Sequence, residues 1–240
     1  MPAVVFHHAI CYGSPMLSIV STPIGNLGDI TLRAIETLKK CEGIICEDTR
    51  VTGQLLKLLN IEKKELISFH GHSAKEKANA ILRRLKEGKH FALVSDAGTP
   101  GISDPGYAVV SQAREAGIAL EVVPGPSAFL AALSASGLPI NQFLYLGFLP
   151  IKKGRKTLLQ SLKNEERTIV FYESVHRIER TLTELSDALK EQPNRTVVIA
   201  RELTKMHEEI ISTKACELPE CSKKIVKKGE FVVVIGPIFL

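Results

Sequence analysis

From Met16 onward, short apolar runs alternate with longer amphipathic stretches. The runs at 17–20, 43–46, 66–69, 91–94 and 119–123 are rich in Val, Ile, Leu and Phe and too short for helices, which predicts buried strands. Between them, apolar residues recur every three or four positions. Leu32, Ile35 and Leu38 define one helical face after Asp29, a candidate N-cap. Residues 49–59 carry Leu55, Leu56, Leu58 and Leu59 on one side, and 73–87 form a charged helix with Ile81, Leu82 and Leu85 inward, stopped by Gly88. A fourth helix is predicted over 107–116, before Gly117. Strands alternating with helices of this length imply a mostly parallel sheet covered on both faces.

The rhythm changes after Pro124-Gly125-Pro126. An Ala-rich helix opens at Ser127 and ends at Gly137. Strands then follow at 143–149, 168–172, 196–200, 209–213 and 231–235, with only two predicted helices among them, near 156–162 and 177–190. More strand per helix predicts a mixed, partly antiparallel sheet. Pro237, just beyond the last run, suggests that this strand lies at a sheet edge. The fold class expected is therefore α/β with two α/β domains: a short tail over 1–15, an N-terminal domain over 16–124 with a parallel sheet, and a C-terminal domain over 125–240 with a mixed one.

Composition narrows the partners only slightly. Lys and Arg exceed Asp and Glu, 31 to 26, a mildly basic balance that permits a nucleic-acid partner without demanding one. No apolar run approaches the ~20 residues needed to span a bilayer. The residues before Met16 lack the basic and apolar regions of a secretory signal, so the cytosol is the expected compartment. Cys41 with Cys46 and Cys216 with Cys221 have a C-x4-C spacing that zinc can use. Cys46 ends an apolar run, however, which favours a core thiol, and no metal is expected.

The chemistry concentrates in loops that follow strands, where open α/β sheets bind ligands. They read Ser21-Thr22-Pro23-Ile24-Gly25-Asn26-Leu27-Gly28-Asp29, then Ser95-Asp96-Ala97-Gly98-Thr99-Pro100-Gly101-Ile102-Ser103-Asp104-Pro105-Gly106, then Pro124-Gly125-Pro126-Ser127-Ala128. Glycine allows close backbone approach and proline fixes the loop in advance. The loops contain no lysine or arginine, no phosphate-cradling G-x-x-x-x-G-K-[ST] and no helix-opening G-x-G-x-x-G. They suit an uncharged nucleoside held by backbone groups.

Those loops, with Cys46-Glu47-Asp48-Thr49-Arg50, Phe171-Tyr172-Glu173-Ser174-Val175-His176-Arg177 and Ala200-Arg201-Glu202-Leu203-Thr204-Lys205, occur in an order and wording that resemble one family. It is ribosomal RNA small subunit methyltransferase I, a branch of the tetrapyrrole methylase superfamily, and the resemblance runs from Met16 to about Pro237. It implies two tetrapyrrole methylase-like domains, a homodimer, S-adenosyl-L-methionine as methyl donor in the cleft between the domains, and 2′-O-methylation of a cytidine ribose in small-subunit RNA. By the same analogy Pro23, Ile24, Ala97, Gly98, Thr99, Ile102, Ser127 and Ala128 would border the donor, and Glu173 and Leu203 would close its site from the second domain. The chain departs from the family pattern in Phe69-His70-Gly71-His72-Ser73, where Gly71 and Ser73 replace a carboxylate and an amide, and in lacking the longer C-terminal extension that family members often carry.

A ribose hydroxyl is a weak nucleophile at neutral pH, so a general base is sought. Glu47, Asp48, His70, His72, Glu173, His176, Glu202 and His207 are candidates, with Glu47, Asp48 and Arg50 expected on the acceptor side. Asp48 could instead cap the helix at Thr49. Arg50, Arg177 and Arg201 could hold phosphates or form internal ion pairs, and Lys152-Lys153-Gly154-Arg155-Lys156 could touch an RNA backbone or be a solvated turn. The competing readings are carbon methylation of a tetrapyrrole, a non-catalytic RNA-binding module, and another nucleotide-using α/β enzyme.

Overall fold

The computed structural model describes residues 15–69, 74–104 and 106–238. They divide into two units: the residues up to Thr22 with Ile30–Gly125, and Pro23–Asp29 with those from Pro126 onward.

In the first unit the strands are β1 (Met16–Val20), β2 (Gly43–Cys46), β3 (Glu65–Ser68), β4 (His90–Leu93) and β5 (Ala119–Val123). They pair in parallel in the order β3-β2-β4-β1-β5. The helices are α1 (Leu32–Lys40), α2 (Thr49–Leu58), α3 (Ala74–Lys86) and α4 (Tyr107–Glu115). Alternate residues of each strand serve opposite cores, which is why these strands read as continuous apolar runs. Leu17, Ile45, Phe91 and Leu93 pack with Ile81 and Leu85 of α3 and Val109 and Ala113 of α4. Val20, Ile44, Cys46, Ala92 and Val94 pack with Ala34 and Leu38 of α1 and Leu56 of α2. Each fully buried Val, Leu, Ile or Phe among them contributes about 1.5–3 kcal/mol.

The strand order locates a crevice. From β1 the chain moves outward through α1, β2 and α2 to β3. It then returns through α3 to β4 and crosses through α4 to β5. Neighbours β1 and β4 therefore send their following loops in opposite directions, to helices on opposite faces. Such a switch point leaves an opening at the carboxyl ends of the two strands.

Two local expectations are corrected. Thr31, not Asp29, caps α1, its Oγ1 accepting the Ala34 amide at 3.0 Å; Asp29 ends a preceding 3-10 turn. The buried stripe is Ala34, Thr37 and Leu38, with Leu32 81% exposed, because at about 100° per residue Leu32 points away from Ala34 and Leu38.

In the second unit, α5 (Ala128–Ala135) precedes β6 (Phe143–Phe148), α6 (Arg155–Ser161), β7 (Thr168–Ser174), α7 (Ile178–Ala188), β8 (Thr196–Arg201), β9 (Glu209–Lys214), α8 (Leu218–Lys224) and β10 (Glu230–Ile235). The sheet order is β6-β7-β10-β8-β9, mixed as expected, with β6 parallel to β7 and the other pairs antiparallel. The last strand is thus central rather than at an edge, with Val233 opposite both Phe171 and Ile199. Pro237 lies beyond the ladder and removes no bond from it. Phe231-Val232-Val233-Val234-Ile235 is apolar on both faces, as a central strand requires. One face packs under α6, α7 and α8; α5 contacts β7 and β10. Helix α8 was not expected; its Pro219 sits at a helix start, where a missing amide costs little.

Cys41 and Cys46 lie in the first unit's core, and burial pushes the Cys41 thiol up to about 11. Among the described residues, no cluster of three metal-ligating side chains occurs, and no helix is long and apolar enough to cross a membrane.

A central β10 makes a definite prediction. Phe231→Ala is expected to cost the second unit about 3–5 kcal/mol in urea denaturation. A strand with one solvated face would lose much less.

Candidate active site

The switch-point loops are laced together by short bonds. Thr22 and Gly98 exchange two backbone hydrogen bonds, of 2.9 and 3.1 Å. Gly98 takes φ +83°, a conformation side chains resist. Ser21 reaches both neighbours: its amide donates to Val123 O at the end of β5, and its hydroxyl lies 3.0 Å from that of Thr99. Thr22 Oγ1 donates to Ser95 O at 3.1 Å. A Cβ on Gly125 would stand 2.9 Å from Ser21 Cβ, so the chain leaving β5 can lie against the chain leaving β1 only as glycine. Asp104 closes the long loop by accepting the Gly101 and Gly106 amides at 2.7 Å each. The result is a fixed ledge of backbone groups.

The end of β2 joins it. Asp96 Oδ1 accepts the Asp48 amide at 3.0 Å, and Glu47 Oε1 accepts the Asp96 amide at 3.3 Å. Three carboxylates therefore gather at this edge. Asp48 also caps α2, Oδ1 accepting the Arg50 amide at 2.8 Å, and its other oxygen meets the Arg50 guanidinium at 2.5 Å. The side-chain bond from Arg50, helped by the backbone bond, holds the Asp48 carboxyl down at about 2.

In the second unit the turn after β8 is strained. Glu202 and Thr204, neither of them glycine, have φ of +50° and +67° on either side of buried Leu203. Such conformations cost on the order of 1–3 kcal/mol each and concentrate at functional sites. Thr204 Oγ1 is buried without a hydrogen-bond partner among the described residues. Nearby, the amide after Ser127-Ala128, that of Phe129, donates to Tyr172 Oη at 3.3 Å.

Comparison with known proteins now places the chain. The family model described as tetrapyrrole (corrin/porphyrin) methylases matches residues 16–219. The chain is 48% identical to ribosomal RNA small subunit methyltransferase I of Thermotoga maritima, over 92% of this chain and 97% of that protein. It is 47% identical to the protein of the same name from Escherichia coli, over 95% of this chain and 80% of that one. It belongs to the ribosomal RNA small subunit methyltransferase I branch of the tetrapyrrole methylases. Among solved structures, uroporphyrin-III C-methyl transferase from Thermus thermophilus, complexed with S-adenyl homocysteine, superposes with TM-score 0.64 at 19% identity, covering 93% of this chain and 98% of that one. A diphthine synthase superposes with TM-score 0.70 at 14% identity, covering 92% and 90%. At those identities the likeness concerns the fold.

The methylase loops sort the expected residues by unit. Ala97, Gly98, Thr99 and Ile102 lie on or beside the first-unit ledge, with Glu47, Asp48 and Arg50 at its acidic end. Pro23, Ile24, Ser127, Ala128, Glu173 and Leu203 belong to the second unit. Glu173 is not presented as a free carboxylate. It is buried, accepting from Thr181 Oγ1 at 2.6 Å and its neighbour's amide at 2.8 Å, and pairing with Arg177 at 2.7 Å and Arg155 at 3.8 Å. Arg177 and Arg201 take the internal alternative, Arg201 pairing with Glu209 at 3.0 Å. Glu202 is tied to Lys205 at 2.9 Å, while His176 and His207 are exposed; His70, Gly71, His72, Ser73 and Pro105 lie outside the described residues. Sequence reasoning missed Asp96 as a partner of Glu47 and Asp48, and missed Thr204. Asp96 had a signal, a carboxylate directly after a strand; left-handed Thr204 had none.

Asp48 is a poor base, because a carboxyl held near 2 stays ionised across neutral pH. Asp48→Asn keeps a competent cap. Its pH–rate profile between pH 5 and 9 is expected to match the wild type in shape, since titration of Asp48 falls below that window.

Proposed function

We propose that the chain transfers the methyl group of S-adenosyl-L-methionine to the 2′-hydroxyl of a cytidine in small-subunit ribosomal RNA, in the cytoplasm and as a homodimer. The observation that carries this reading is the identity of 47–48%, over more than nine-tenths of this chain, with relatives bearing that ribosomal name. Tetrapyrrole methylation is the weaker reading, since likeness to the named tetrapyrrole enzyme stands at 19%.

The residues fit the donor. The ledge is a backbone surface fixed by its own hydrogen bonds, against which a nucleoside can lie, and its carboxylates suit a ligand that carries positive charge. In the second unit, the Thr204 hydroxyl, without a hydrogen-bond partner among the described residues, and buried Leu203 would be the groups to meet it there. When bound, the donor supplies a methyl group already activated on a sulfonium. The chain's task is then positioning and exclusion of water. Backbone groups of Ala97, Gly98 and Thr99, with Ile102, Pro23, Ile24, Ser127 and Ala128, would hold the donor. Glu173 would serve through the backbone it orders rather than through its carboxylate. Glu47, whose Oε1 accepts the Asp96 amide, and Asp48 would lie on the acceptor side, and exposed Arg50 would meet a substrate phosphate. Exposed Leu130, Phe148 and Ile151 supply apolar surface for a homodimer to cover.

Small subunits incubated with methyl-labelled S-adenosylmethionine are expected to acquire label at one cytidine ribose. Arg50→Ala, altering a side chain 89% exposed, is expected to leave the melting temperature essentially unchanged while raising KM for the subunit several-fold. Label absent from RNA defeats the reading. An unchanged KM in folded Arg50→Ala removes Arg50 from the acceptor side.

A further inference from the structure

The ledge raises an electrostatic problem. Glu47, Asp48 and Asp96 repel an RNA backbone, and the one adjacent arginine is already paired with Asp48. Most of the attraction for a polyanion must come from elsewhere on the chain. We propose that the turn at 152–156 of the second unit, bearing Lys152, Lys153 and Lys156, is a phosphate-binding surface for the RNA backbone. This deepens the methylation reading and rests on it for the identity of the RNA.

Four of the five residues in this segment are basic, and the structure divides them into two roles. Arg155 turns inward and is 3% exposed. Its guanidinium donates to Pro150 O at 3.1 Å, Thr181 Oγ1 at 2.7 Å and Glu184 at 2.7 Å. Arg177 donates to the preceding carbonyl, Leu149 O, at 2.9 Å. Both arginines pair with Glu173, so the backbone leading into the turn is fixed by a buried ion network. Removing one partner from such a network strands a buried charge, so these bonds hold the backbone at Leu149 and Pro150 in place.

Lys152, Lys153 and Lys156 are exposed and form no ion pair among the described residues, unlike Lys163, Lys205, Lys223 and Lys227 of the same unit. The acid closest to the segment, Glu184, is already neutralised by Arg155 and Arg180, both at 2.7 Å. A groove of about 380 Å³ opens between α6 and α7, lined by Lys152, Lys156 and Arg180 and by the acids Glu184 and Asp187. Three lysines without an ion pair among the described residues, with Arg180 in the groove, outnumber its one unpaired acid, Asp187, and each lysine can meet a phosphate as a point charge without the planar geometry arginine demands.

The test is a variant with Lys152→Gln, Lys153→Gln and Lys156→Gln together. Its control replaces three exposed lysines of other segments, Lys63, Lys190 and Lys224, with glutamine. KM for small subunits is expected to rise about tenfold in the variant, while kcat at saturation and affinity for S-adenosylmethionine stay within twofold. Binding to protein-free small-subunit RNA is expected to show a log–log salt slope shallower by about 2, three contacts at roughly 0.7 each. A KM and slope equal to those of the control overturn the proposal. So does weakened binding to intact subunits with unchanged binding to protein-free RNA, which assigns the turn to an acidic protein partner. If the wild type labels no RNA, the methylation reading fails, and the salt slope still decides the surface.

Discussion

The two backbone hydrogen bonds between Thr22 and Gly98 are the constraint on which the rest of the first unit's chemistry depends. They join the loop leaving β1 to the loop leaving β4, the neighbouring strands whose connections diverge. That link, with the bonds from Ser21 and Thr22 to Thr99, Ser95 and Val123, holds two loops that contain glycine in one place. With it, Ser21, Thr99, Val123 and Gly125 fall into one ledge, and Asp96 ties the ledge to the end of β2. A site fixed in advance spends little of a ligand's binding energy on ordering itself.

Much of this was legible in the sequence. The parallel sheet followed from apolar runs alternating with amphipathic stretches, because both faces of each strand are buried. The meeting of loops at one sheet edge followed from where the glycines and prolines fall. The failures have physical causes. Asp29 and Thr31 are both competent caps, and only the turn geometry chooses between them. The last strand was misplaced because sequence order carries no information about insertion between β7 and β8, and a nearby proline outweighed an apolar run that marked a central strand. The left-handed backbone at Glu202 and Thr204 has no compositional mark, since neither residue is one that favours it.

Glu173 shows how a residue singled out by its motif can have an internal structural role. The resemblance selects it as a site residue, yet its carboxylate faces Arg155, Arg177 and Thr181 in the second unit's interior. Buried charges of this kind organise backbone at a cost in desolvation. Here the organised backbone is the end of β7 and the approach to the basic turn. Charge is thus partitioned, with acids on the ledge, a neutralised network inside the second unit, and lysines without an ion pair among the described residues on the turn.

The central claim is that the Gly98 conformation holds the ledge in its binding form, and calorimetric titration of S-adenosylmethionine into the wild type and Gly98→Ala tests it most directly. A side chain at φ +83° strains the bridge to Thr22. The variant is expected to remain folded by circular dichroism and to bind the donor at least tenfold more weakly. Equal affinity in the two proteins would contradict the account.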